Sequence, residues 1–186
     1  ELKDVGAHIR YLNLMGNGLT LFGRPEDAIR YYDRALQLVR STPELDTSVM
    51  AVAGKAKALI ALNKRPEAER LFQETLDRAR LRNRRGLAAS ILTELGKVSS
   101  QAGERGRAID FYEEAAALAA GSELHSVTAM AMFGLAKLYR DAGDLEEAED
   151  RAAKGVEASQ EVGETHQLPE RLAVRAQLGS NRGTST

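Results

Sequence analysis

Three lysines, Lys57, Lys97 and Lys137, stand 40 residues apart, and Asn17 occupies the matching place one interval earlier. An ammonium group is a point charge with three donors, so such a row suits an extended acidic segment or a free C-terminal carboxylate, while an amide can hydrogen-bond a peptide backbone. The other side chains capable of chemistry do not gather. His8, His125 and His166 are scattered without the spacing that a metal or a nucleophile and its base require, and the chain has no Cys. The acidic run at 144–150 opens a helix, where carboxylates satisfy the positive end of the dipole rather than a cation. Arg78, Arg80, Arg82, Arg84 and Arg85 make the densest basic run, but it falls at an inter-repeat bend with no interleaved aromatic and no second basic element. It reads as a solvated bend, so nucleic acid is not an expected partner. Glycine-rich phosphate loops are missing too, since Gly16 and Gly18 belong to a helix-packing stripe. No catalytic residue, metal or cofactor is expected.

The interval of the lysines runs through most of the chain. Ala28, Ala68, Ala108 and Ala148 form one small column, and Gly16, Ala56, Gly96 and Ala136 a second, 12 residues upstream each time. Gly23, Asn63, Gly103 and Gly143 are the residue types that most readily take the left-handed conformation ending a helix. Leu12, Val52, Leu92 and Met132 are apolar throughout, and Tyr32, Phe72 and Tyr112 form a bulky column that lapses to Ala152. Apolar residues between these columns follow offsets of three and four, as in Ile29, Tyr32, Ala35, Leu36 and Val39, so each repeat is two helices.

First helices are expected at about 5–22, 45–62, 86–102 and 124–142, and second helices at about 25–40, 65–80, 105–120 and 145–162. Pro25 and Pro66 sit in first turns, where a missing N–H costs nothing, and Thr42 is a candidate N-cap before Pro43. The repeats become about 5–42, 43–82, 83–122 and 123–164. Leu172 and Ala176 continue the register into a capping helix at 168–179, which completes a single domain over 1–179 and leaves 180–186 as a mobile tail.

Composition agrees with this organisation. The 186 residues are 43% hydrophobic and 28% charged, enough to bury a core and solubilise its outside, and the 29 alanines favour closely packed helices. No apolar run approaches the roughly 18 residues of a membrane span. The chain begins at Glu1 without Met or a signal-like segment, which fits a piece of a longer product, and a cytoplasmic location is expected. Net charge is −1 overall, but residues 1–93 carry +5 and residues 94–186 carry −6, so head-to-tail self-association through dipolar ends is a further expectation.

The order of small residue, 12-residue gap, Ala, aromatic four later and small residue seven later resembles the tetratricopeptide repeat family. Gly96, Ala108, Tyr112 and Ala115 show it best, followed by Gly16, Ala28, Tyr32 and Ala35. The 40-residue spacing is similar to the longer-helix subclass seen in Leu-Gly-Asn-repeat scaffolds, kinesin light chains and bacterial peptide-sensing regulators. Glu94-Leu95-Gly96-Lys97 resembles the Leu-Gly-Asn step, with Lys in place of Asn. The resemblance implies an all-α, right-handed superhelical solenoid of antiparallel helix pairs, with first helices lining a concave groove that receives a partner's peptide or helix.

Helical geometry then selects the groove residues: Ser90, Thr93 and Lys97 in the third repeat, Met130, Phe133, Lys137 and Arg140 in the fourth, Met50 and Lys57 in the second, and Arg10, Asn13 and Asn17 in the first. Met50, Met130 and Phe133 would anchor apolar side chains or fold into the core. The leading expectation is a protein-interaction scaffold that binds an acidic peptide. The alternative is a sensor that binds a signalling peptide and controls an attached effector domain, with an enzyme a distant third.

Overall fold

The computed structural model describes residues 2–42, 49–120 and 123–161. These contain eight helices and no strand: α1 (Leu2–Leu21), α2 (Pro25–Ser41), α3 (Val49–Ala61), α4 (Arg65–Leu81), α5 (Arg85–Gln101), α6 (Arg105–Ala119), α7 (His125–Asp141) and α8 (Leu145–Glu161). The second helices begin at 25, 65, 105 and 145, the interval read from the sequence. Residues 43–48, and with them the opening of the second repeat after Thr42, lie outside the described residues, as do Gly121, Ser122, the expected capping helix and the tail. Among the described residues no helix is long and apolar enough to cross a membrane.

Each pair is closed by the same turn. Gly23, Asn63, Gly103 and Gly143 have φ of 71°, 59°, 75° and 84°, in the left-handed region. There the next residue's N–H reaches back to a carbonyl five positions earlier: Arg24 to Leu19 at 2.8 Å, Lys64 to Leu59 at 2.8 Å, Glu104 to Ser99 at 2.9 Å and Asp144 to Tyr139 at 3.0 Å. This satisfies carbonyls that a helix end otherwise leaves open. Asn83 takes the same conformation, φ 53°, between α4 and α5. That turn lies in the arginine run, which the structure leaves exposed, with Arg85 donating to the Leu118 carbonyl at 3.1 Å.

Two compact units result, Glu1–Asn83 with α1 to α4 and Arg84–Thr186 with α5 to α8. The same device holds each together. In the first, Tyr32 is 1% exposed and its ring lies between Gly16 of α1 and Gly54 of α3; a Cβ on Gly16 would come 2.6 Å from the ring. In the second, Tyr112 lies between Gly96 of α5 and Gly134 of α7, with a Gly96 Cβ falling 2.7 Å from it. One ring thus joins its own helix pair to the next, and full burial of such a side chain stabilises by about 3 kcal/mol. Gly54 and Gly134 supply the half of this device that the repeat columns do not show.

The fourth repeat solves its missing aromatic differently. Ala152 of α8 is buried with Ala136 and Ala148, and Phe133 from α7 packs over Gly155, whose Cβ would stand 3.0 Å from the ring.

Substituting Gly16→Ala should therefore lower stability by about 1–3 kcal/mol, because overpacking against a fixed ring outweighs the gain in helix propensity. Gly106→Ala is the matched control: a Cβ there meets nothing within 4 Å, and stability should hold or rise. Urea denaturation of the two variants beside the parent checks both outcomes.

Candidate functional site

The first helices of each unit lie side by side, α1 against α3 and α5 against α7. Their shared face is where the groove residues were expected. In the second unit the expected stripe is joined across helices, because the Lys97 ammonium on α5 lies 3.9 Å from the sulfur of half-buried Met130 on α7. Lys97 is not a free cation, however: its Nζ sits 2.6 Å from Glu94 Oε1, one turn back along α5. Lys137 lies exposed on α7. Ser90 is half-buried and its hydroxyl donates to the Gly86 carbonyl at 2.9 Å.

In the first unit Arg10 and Lys57 are exposed, and Met50 is 55% exposed, seven residues before Lys57 on α3. Asn17 is exposed as well, but its Oδ1 accepts the Tyr32 hydroxyl at 2.7 Å. Its carbonyl is therefore committed to satisfying a buried phenol, which leaves the NH₂ end for anything outside.

Four of the expected groove residues have other work. Asn13 and Thr93 are 2% and 0% exposed, so neither can meet a ligand as the structure stands. Thr93 spends its hydroxyl on the Ala89 carbonyl at 2.9 Å. Phe133 is a packing residue over Gly155. Arg140 pairs with its neighbour Asp141 at 2.9 Å. The period fixes the angle at which a residue leaves its helix, not its depth: at this shared position Asn13 and Thr93 are buried, while Phe133 is half-buried against Gly155 of α8.

A polar feature of the first unit was missed. Lys55 stands in the column Met15, Lys55, Leu95, Leu135, whose other members are apolar, and the odd residue was the available signal. It reaches Asp33 on α2 at 2.6 Å, an ion pair between helices rather than along one. Around it a cleft of about 160 Å³ opens over Leu59 and Leu71, with Arg40, Glu67, Arg70 and Glu74 on its rim. Among the described residues no three His, Asp or Glu side chains are grouped to hold a metal ion.

The left-handed turns and the small and aromatic columns are those the resemblance to tetratricopeptide repeats implies, and comparison with known proteins agrees. The chain belongs to the MalT-like TPR region family. The match runs over residues 19–184. Among solved structures, the nearly identical TPR-like repeats of a putative kinesin light chain from Podosopora anserina superpose with a TM-score of 0.60 at 16% identity, covering 95% of this chain and 97% of that one. BtubC (BKLC) from P. vanneervenii superposes with a TM-score of 0.61 at 20% identity, covering 83% of this chain and 64% of that one. At these identities the likeness is one of fold. No curated protein sequence matches the chain.

The ring that holds the second unit also titrates abnormally. Burial, and secondarily the Glu94 carboxylate, push the Tyr112 phenol up to about 12 from 10.0. The folded state therefore keeps a proton that the unfolded chain gives up, so this contribution to stability is complete below pH 10 and is lost as pH climbs from there toward 12. Urea midpoints measured from pH 9 to 12 should fall more steeply for the parent protein than for Tyr112→Phe.

Proposed function

We propose that this MalT-like TPR region is a protein-interaction module, and that in each unit the face shared by its two first helices, α1 with α3 and α5 with α7, binds an acidic peptide or helical segment of a partner. The observation that carries this is the distribution of charge on those faces: Lys57 and Lys137 are exposed and form no ion pair among the described residues, while Lys97 is held by Glu94 beside Met130. Two exposed ammonium groups, one in each unit, favour carboxylates. Next to them Met50 and Met130 offer polarizable apolar contacts that adapt to different side chains. Arg10 adds a third exposed cation in the first unit. An exposed lysine alone is worth little in water, so affinity would come from the apolar anchors and selectivity from the charges.

A random-peptide display selection tests the reading. Enriched peptides should be acidic with spaced apolar residues. The combined variant Lys57→Glu, Lys137→Glu should bind them at least about tenfold more weakly, a difference of about 1.4 kcal/mol, while its circular dichroism spectrum stays unchanged. Enrichment without acidic bias, or equal binding by the folded variant, would refute the charge assignment.

A further inference from the structure

Within the column Asn17, Lys57, Lys97 and Lys137, Lys97 alone has an acid one turn before it. The residues three positions earlier are Leu14, Gly54, Glu94 and Gly134. Glu94 lies low on its face: its side chain is 13% exposed against 37% for Lys97, and the two charged groups meet at 2.6 Å. A carboxylate so far out of water needs a counter-charge, because a buried charge left without its partner is strongly destabilising. The other titratable group it acts on, the Tyr112 phenol, carries no positive charge. A ligand carboxylate that took Lys97 would therefore strip Glu94 of its partner and stand beside a second negative charge. Lys97 is committed within the protein, and its ammonium lies 3.9 Å from the Met130 sulfur, so the surface there is neutral and polarizable.

Two turns along α7 from Met130, and so on the same helix face, Lys137 is exposed and forms no ion pair among the described residues. The first unit has the same pair on α3, Met50 and Lys57, both exposed. Beside it α1 carries the neutral Asn17 at the position of Lys97. An amide in one unit and a neutralised ammonium in the other leave the same pattern at this level, one neutral helix and one cationic helix.

We propose that Glu94 is a specificity-determining residue: by holding Lys97 it makes the surface beside Met130 a subsite for an apolar side chain and confines the ligand's carboxylate to Lys137. The assignment rests on the reading that this face binds an acidic segment, and adds the spacing of that segment's side chains. Seven residues of helix, the interval from Met130 to Lys137, rise about 10.5 Å. An extended peptide covers that length in about three residues. The selected ligand is thus an extended segment with one apolar and one acidic residue about three positions apart.

The test uses the whole chain in a Lys57→Glu background, which removes the cationic position of the first unit. Peptides enriched by display selection should carry the apolar–acidic spacing. When the apolar residue of such a peptide is replaced by Asp, fluorescence anisotropy should show at least about threefold tighter binding to Glu94→Gln than to the background protein, the scale of one exposed ion pair. Adding Lys97→Gln should abolish that gain. Glu157→Gln, which removes an equal charge from an exposed site on α8, should give less than half of it. In folded Glu94→Gln, with circular dichroism unchanged, the Tyr112 phenol should titrate below the parent's value of about 12, an independent report that the inward carboxylate has been neutralised. Equal binding of the Asp peptide by the two proteins, a gain matched by Glu157→Gln, a gain that survives Lys97→Gln, an unmoved Tyr112 titration, or acidic peptides without the spacing would each overturn the assignment alone. Enrichment without acidic bias would overturn the reading beneath it as well.

Discussion

Everything in each unit depends on one steric fact: a tyrosine ring occupies the space where two glycines on two different helices lack a Cβ. Tyr32 between Gly16 and Gly54, and Tyr112 between Gly96 and Gly134, bring three helices to a common contact. A helix pair closed only by its turn would leave an apolar stripe in water. With the ring shared, the stripe of one pair becomes the seat of the next, so burial accrues only when neighbouring pairs are present together. Close approach also explains the alanine excess, since the columns around the ring, such as Ala28, Ala58 and Ala108, are fully buried.

The ring carries a polar cost that the two units meet differently. In the first, the phenol donates to Asn17 Oδ1 at 2.7 Å, so a residue of the exposed face is tied to the core. In the second, the equivalent position is Lys97, which turns instead to Glu94, and Glu94 in turn raises the Tyr112 proton affinity. Core and outer face are therefore electrostatically connected through the same few residues, and a change at Glu94 would both release the Lys97 ammonium and ease ionisation of the buried phenol.

This connection also explains how far the sequence could be read. Element order, the eight helix positions and the four left-handed turns were legible because each depends on local chemistry repeated at a fixed interval, and Gly23, Asn63, Gly103 and Gly143 announce themselves wherever they stand. Depth was not legible. Asn13, Thr93 and Phe133 leave their helices at the angle of a groove residue, yet the first two are buried and the third is half-buried against Gly155, and no property of a single helix reveals that. Gly54 and Gly134 carry no column signal for a related reason: they alternate with Leu14 and Glu94 at the 40-residue interval, so no run of small residues marks the position.

That alternation has a physical consequence for the outer flank of first helices. At the position of Gly54 and Gly134 a glycine is needed only where an aromatic from the preceding helix must enter, and both are filled by such a ring. At Leu14 no ring enters among the described residues, and a side chain of full size stands there with most of its surface exposed. Solubility alone would favour a charged residue at an open helix position, since an exposed leucine gains nothing from burial and invites association. Gly18 is the opposite case: a Cβ there would meet nothing within 4 Å, so the helix stability it forgoes, about 1 kcal/mol relative to Ala, is not offset by close packing. Leu14 and Gly18, one turn apart on α1, thus stand where α3 carries the glycine and the alanine that its own neighbours cover.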